Sequence, residues 1–171
     1  MDSFDSVTLP PHEIVVVPSH GSLDRKELYD QCIQVRIEVF VHEQGYDLDT
    51  EVDTLDPLAT HLLLRIVPSG TPIGTIRVTK PKGASYYKVS RLVVLKEYRK
   101  FRLGKELVQA AHGVIIKDHH KSGSQGPIEA VLHAQIYAIG FYRKCGYEPE
   151  GDEFEEDGAP HQRMRARLSD V

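Results

Sequence analysis

One stretch, residues 86–118, limits the folds open to this chain more than any other. Residues 86–95 read as a β-strand that ends in the apolar run Leu92, Val93, Val94 and Leu95. A basic turn follows, with Arg99, Lys100, Arg102 and Lys105. It opens straight into a helix whose apolar positions Leu103, Leu107, Ala110, Ala111, Val114 and Ile115 fall on one face. A buried strand feeding an amphipathic helix requires a sheet for that helix to cover. The turn also has a chemical meaning. The first backbone N–H groups of a helix lack partners within it and lie at the positive end of its dipole, which makes the spot an anion site. The four cationic side chains around it favour phosphate or pyrophosphate. The plain alternative is a solvated basic turn before an ordinary helix.

Periodicity and chain breakers supply the other elements. Residues 14–17 form a short β-branched strand ended by Pro18, after a loose lead-in over residues 1–12. Ser22 or Asp24 caps a helix that carries Leu28, Cys32, Val35, Val39 and Phe40 at three- and four-residue steps. Residues 41–57 lose that period and hold Glu43, Asp47, Asp49, Glu51, Asp53 and Asp56, so they read as a long acidic loop with at most one short helix. Residues 61–67 and 73–79 are the two strands of a hairpin turned at Pro68, Gly70 and Pro72. Beyond the helix come a Gly/Ser/Pro linker at 122–127, a strand at 129–133 and a short helix at 135–145. Gly146 stops that helix as a left-handed cap, and a last strand runs over 162–168. The expected fold class is α+β, in one domain over residues 1–171.

Composition narrows the function. A length of 171 residues suits one domain with a real core. A net charge of −4 argues against nucleic acid as a partner, because neutralising phosphates takes clustered Lys and Arg. No apolar run approaches the roughly 20 residues needed to cross a bilayer, so no membrane association is expected. Met1, Asp2, Ser3, Phe4 and Asp5 are acidic where a secretory or mitochondrial signal is basic, which makes a cytoplasmic or nucleocytoplasmic location the default expectation. Cys32 and Cys145 are far apart and in no metal-ligand spacing. They read as free thiols, and no metal is expected.

Several ordered motifs resemble one family. The turn Arg99-Lys100-Phe101-Arg102-Leu103-Gly104 is similar to the Arg/Gln-x-x-Gly-x-Gly/Ala loop with which GNAT acetyltransferases wrap the pyrophosphate of coenzyme A, with Arg102 in place of the middle Gly. Gln135-Ile136-Tyr137-Ala138-Ile139-Gly140-Phe141-Tyr142-Arg143-Lys144-Cys145-Gly146-Tyr147 is similar to the family's Asn-x-x-Ala-x-x-Phe-Tyr-x-x-x-Gly-Phe/Tyr helix, with Gln135 in place of Asn. Within the superfamily the chain most resembles the ElaA/YjcF-like group. It shares Leu132-His133-Ala134-Gln135, an acidic segment leading to Gly158-Ala159-Pro160-His161, and the early run Arg36-Ile37-Glu38-Val39-Phe40-Val41-His42-Glu43-Gln44. The resemblance implies the GNAT fold, a mixed and mostly antiparallel sheet of about six to seven strands flanked by about four helices. It also implies acetyl-CoA as co-substrate.

The same resemblance implies direct transfer, in which an amine attacks the thioester carbonyl without a covalent enzyme adduct. Main-chain N–H groups of Leu92, Val93 and Val94, on a bulged strand, would meet the acetyl carbonyl and the pantetheine arm. Arg99, Lys100, Arg102, Leu103, Gly104, Lys105 and Gln135 complete the expected cofactor contacts. Tyr142 would protonate the departing thiolate and touch the cofactor; its plain alternative is a core aromatic. For the base, Glu43, Asp53, Asp56, His61 and His133 are all candidates, directly or through water, with Glu43 and His61 set beside Tyr142 as the catalytic group. The acidic loop would favour a protonated amine such as a polyamine or an amino sugar. Cys145 sits at a helix C-terminus, where the dipole opposes a thiolate, so it is not a nucleophile. The expected function is N-acetylation of a primary amine on a small molecule. An acyl-CoA-binding module with little turnover, or a protein or peptide N-acetyltransferase, are the alternatives, and a homodimer is left open.

Overall fold

The β-branched and apolar runs pair into one mixed sheet. The computed structural model describes residues 8–169. Strand β1 (His12–Val16) pairs antiparallel with β2 (Thr60–Ile66), which pairs antiparallel with β3 (Pro72–Thr79), and β3 pairs antiparallel with β4 (Tyr87–Val94). Then comes β5 (Ile128–Gln135), parallel to β4. The long β8 (Ala159–Leu168) lies antiparallel to β5 over its whole length, and β6 (Glu148–Pro149) and β7 (Phe154–Glu156) both pair with β8.

Among the described residues four α-helices accompany the sheet. Helix α1 (Arg25–Arg36) continues without a break into a wider π-helical segment, Ile37–Glu43, and so runs past the expected end near Phe40. The short α2 (Leu48–Glu51) is the one helix foreseen within the acidic loop. Helix α3 (Leu103–Lys121) lays Leu103, Leu107, Val108, Ala111 and Ile115 on the sheet, each fully buried. Burying a Leu, Val or Ile side chain contributes about 1.5–3 kcal/mol, so this face anchors the helix. The approach is close at Gly74 on β3, where a Cβ would meet Val93 O at 3.0 Å and Leu107 Cδ1 at 3.2 Å. After a 3₁₀ turn, Ile136–Ala138, comes α4 (Ile139–Lys144), and Gly146 at φ 93° turns the chain out of it as the sequence implies.

Two expectations need correction. The sheet has eight strands instead of six or seven, because β6 and β7, of 2 and 3 residues, are too short to show a period. The lead-in does not reach residue 12: His12 already pairs with Ile66, and its ring bonds to Glu106 Oε2 at 2.7 Å. Residues 1–7 lie outside the described residues. No helix among the described residues is long and apolar enough to cross a membrane.

The feature that positions the site is the junction of β4 and β5. These strands are in register at only two places, Tyr87 with Ala130 and Lys88 with Val131. Beyond them β4 bulges. Arg77 faces Ser90 and Thr75 faces Val93, so Arg91 and Leu92 together oppose Ile76, and Arg91 takes a left-handed φ of 55°. A bulge bends its strand and breaks the ladder. Strands β4 and β5 therefore part, and a cleft opens between them.

Candidate active site

The cleft has two halves that meet at Leu92 and Gln135. One half, of about 720 Å³, is walled by Leu92, Val93 and Val94 of β4, the end of the π-helical segment, and Arg99. Its volume falls within the ~300–1,000 Å³ of typical ligand sites. The other half, of about 590 Å³, reaches Arg91, His133, Tyr142, Glu156 and His161. Side chains bridge the boundary: Gln135 Nε2 donates to Gln44 Oε1 at 3.0 Å, and Gln44 Nε2 donates to the Tyr137 hydroxyl at 3.2 Å.

The basic turn folds as a 3₁₀ segment, Lys96–Phe101, that delivers Arg102 as the N-terminal cap of α3. Arg102 has φ 59° and ψ 27°, the left-handed conformation that glycine adopts without strain. Arg102 therefore takes a conformation that the glycine it replaces adopts freely. Among the described residues no side chain caps α3, so its first N–H groups are suited to an anion. Arg99 is held at the cleft wall. Its Nε donates to Val94 O at 2.9 Å, and its Nη2 pairs with Glu43 at 2.7 Å. The two motifs meet at Gly104, where a Cβ would come within 3.3 Å of the Phe141 ring. Arg102 and Lys105 are exposed at the turn, and the Lys100 ammonium lies 5.3 Å from the centre of the Phe101 ring.

Tyr142 lines the second half of the cleft, its ring packed edge-on against Phe141 and Tyr147. Burial pushes its phenol well above the usual range, so it stays protonated as a hydrogen-bond donor in the cleft. Cys145 is pushed up by burial as well, which agrees with its exclusion as a nucleophile.

Half of the acidic loop is not free for a substrate: Glu51, Asp53 and Asp56 are paired with arginines, while Asp47 and Asp49 line the cleft. Arg36, fully buried, pairs with Glu51 at 2.7 Å and with Asp56 at 2.8 Å. Arg77 of β3 pairs with Asp53 at 2.8 Å and with Asp56 at 3.0 Å. Arg91, at the bulge, reaches Asp53 and Glu51 at 3.4 Å. Three guanidinium groups thus balance three carboxylates. Burial pushes the Asp56 carboxyl up, but the Arg36 guanidinium bonded to it outweighs this and holds it far below the usual carboxylate range. A carboxylate so stabilised is a poor base, and Asp53 and Asp56 are part of the scaffold that pins the loop to β3 and the bulge.

His61 is likewise removed from the chemistry. It is fully buried, its Nε2–H donates to Asp56 O at 2.9 Å, its ring meets Tyr29 edge-on, and burial pushes its pKa down. Glu43 does line the cleft, but on the first half, where it is paired with Arg99. His133 is on the second half with Tyr142. Glu156 was missed in the sequence, although a signal was present. Asp157 and Gly158, at φ 51° and 78°, form the two-residue turn that Asp-Gly favours in a tight hairpin, and that turn sets Phe154 opposite His161.

Comparison with known proteins agrees with this geometry. A family model described as an acetyltransferase (GNAT) domain matches residues 28–168. The N-acetyltransferase YjcF of Bacillus subtilis is 32% identical over 141 residues, covering 81% of this chain and 92% of the relative. Among solved structures, an acyl-CoA N-acyltransferase from Pseudomonas aeruginosa superposes with a TM-score of 0.70 at 27% identity, covering 90% of this chain and 99% of the other. Escherichia coli ElaA shares the fold with a TM-score of 0.72 at 24% identity, over 91% of this chain and 99% of its own. On the match of the family model and the identity to these relatives, the chain belongs to the GNAT acetyltransferase family and is an acyl-CoA-dependent N-acyltransferase.

Proposed function

We propose that this single domain transfers the acetyl group of acetyl-CoA to a primary amine of a small molecule, by direct attack in a ternary complex. The observation that carries the reading is the parting of β4 and β5 beside the bulge at Arg91, next to the uncapped start of α3. When bound, acetyl-CoA supplies an acetyl thioester as the electrophile. Leu92, Val93 and Val94 border the cleft, and the main-chain N–H groups there that β3 does not take, those of Leu92 and Val94, would donate to its carbonyl, where negative charge develops; Val93 pairs with Thr75 of β3. Arg99, Arg102, Lys105 and the first N–H groups of α3 take the pyrophosphate, with Lys100, Leu103 and Gly104 shaping the same turn. Gln135 sits at the boundary between the halves, and Tyr142 holds a proton for the leaving sulfur.

The preference for a protonated acceptor, such as an amino sugar or a polyamine, rests on Glu156, Asp157 and Asp49 at the second half of the cleft, since Glu51, Asp53 and Asp56 are paired with arginines. The left-handed backbone at Arg102 supports cofactor binding, and product formation separates an enzyme from a passive binding module. Titration calorimetry with acetyl-CoA, followed by thiol release against a panel of amines with mass analysis of the products, tests the proposal. Binding followed by N-acetylated product is the expected result; no binding of acetyl-CoA overturns it.

A further inference from the structure

The second half of the cleft holds an arrangement that acetyl transfer as described leaves without a role. His133 stands two residues before Gln135 on β5, so the period of two puts both on the same face of the strand. Its Nδ1 lies 2.9 Å from Glu156 Oε1. An ionised carboxylate only accepts hydrogen bonds, so the ring proton is on Nδ1 and the Nε2 lone pair is left available. Phe154 packs edge-on against the His133 ring with centroids 4.9 Å apart, which limits rotation of the imidazole.

The groups around the pair favour its carboxylate: Lys88 and His161 both help to hold Glu156 ionised. From β8, His161 donates through Nδ1 to Ala159 O at 2.9 Å and turns Nε2 toward Glu156 at 3.9 Å. Arg163, in register with His133 on β8, is committed to Glu150 at 2.7 Å. Lys88 of β4 faces the same cavity. The hydrogen bond from His133 holds the Glu156 carboxyl below its usual range despite its partial burial, so it is ionised at neutral pH. The His133 side chain is 21% exposed and lines the same cavity as Tyr142.

We propose that His133 accepts the proton of the attacking amine and that Glu156 is the positioning residue that fixes its ring and tautomer; this rests on the acetyl-transfer reading above. A protonated acceptor first gives up one proton to solvent; the neutral amine nitrogen then forms the new C–N bond with its lone pair and gives one N–H proton to His133 Nε2. The C–S bond breaks, sulfur keeps the electron pair, and it takes the hydroxyl proton of Tyr142. The imidazolium returns its proton to solvent through the cleft, and the phenolate regains one.

The test combines ¹⁵N-histidine NMR, calorimetry with acetyl-CoA, and thiol-release kinetics with glucosamine and spermidine across pH, on the wild type, His133→Asn and Glu156→Gln. The wild type shows the Nδ1–H tautomer at His133, and Glu156→Gln loses it. His133→Asn keeps wild-type affinity for acetyl-CoA, lowers kcat by about 10²-fold or more, and flattens the acid limb of the pH profile. Glu156→Gln moves that limb and lowers kcat by less. An Nε2–H tautomer in the wild type, or wild-type kcat in His133→Asn, overturns the assignment. A wild-type protein that binds acetyl-CoA but releases no thiol with any amine overturns the transfer reading itself, and this assignment with it.

Discussion

Arg102 offers the sharpest test of how the cofactor turn works, because its backbone and its side chain pull in opposite directions. A non-glycine residue in the left-handed region costs about 1–2 kcal/mol, while glycine costs about 0.5–1 kcal/mol through the greater freedom it loses on folding. Arg102 is exposed, and among the described residues its side chain makes no hydrogen bond or ion pair, so no other contact enters the balance. Arg102→Gly should therefore stabilise the protein by about 0.5–1 kcal/mol, a rise in Tm of roughly 1–4 °C for a chain of this length. Arg102→Ala keeps the strained φ and should leave Tm unchanged. Both variants lose the cation beside the start of α3, and both should bind acetyl-CoA about tenfold more weakly, the scale of one charge-assisted contact. Urea unfolding and titration calorimetry on the three proteins separate the two effects. A Gly variant no more stable than the Ala variant would refute the strain argument. Unchanged affinity in both would show that backbone donors and Arg99 hold the pyrophosphate alone.

Other consequences follow from the same structure. Tyr142→Phe should lower kcat by about 10²-fold while acetyl-CoA affinity changes little; equal turnover would remove its role as proton donor. Asp56→Asn leaves Arg36 and Arg77 facing each other without their shared counter-charge and should destabilise the fold by about 3–5 kcal/mol in denaturant titrations. Stability should also fall as pH drops below about 6.5, because burial depresses the pKa of His61 and of His112 in the folded state. Between the folded and unfolded values the unfolded chain binds more protons, so the loss grows as pH falls through the folded pKa. His61→Gln should reduce that slope, and an unaltered slope would point to other groups. A further decline below about pH 4 is expected from Asp56, whose pKa is likewise depressed on folding.

Much of this protein is legible without coordinates, for local reasons. The apolar face of α3, the short apolar and β-branched runs of β2 and β3, and the breakers between them are local properties of the chain, so element order and the position of the basic turn could be read directly. The family motifs add the cofactor turn and the Tyr142 helix, since their contacts arise within short stretches of chain. Strand β7 was within reach too, through Asp157 and Gly158, whose preference for positive φ is a local property.

What only the folded chain decides are the charges and the openings. Glu51, Asp53 and Asp56 look like a free acidic loop until α1, β3 and the β4 bulge bring Arg36, Arg77 and Arg91 to them, and burial then makes that balance structural. His61 and His133 carry the same side chain. One is sealed in the core against Asp56 O, and the other stands in the cleft against Glu156, 23 residues away in sequence. The parting of β4 from β5 leaves no mark on composition, because it comes from a backbone bulge and a register that ends after two pairs. Period and local conformational preference act along the chain and are written in it. Ionisation, burial and the shape of a cleft depend on which distant segments meet, and that is settled only by tertiary packing.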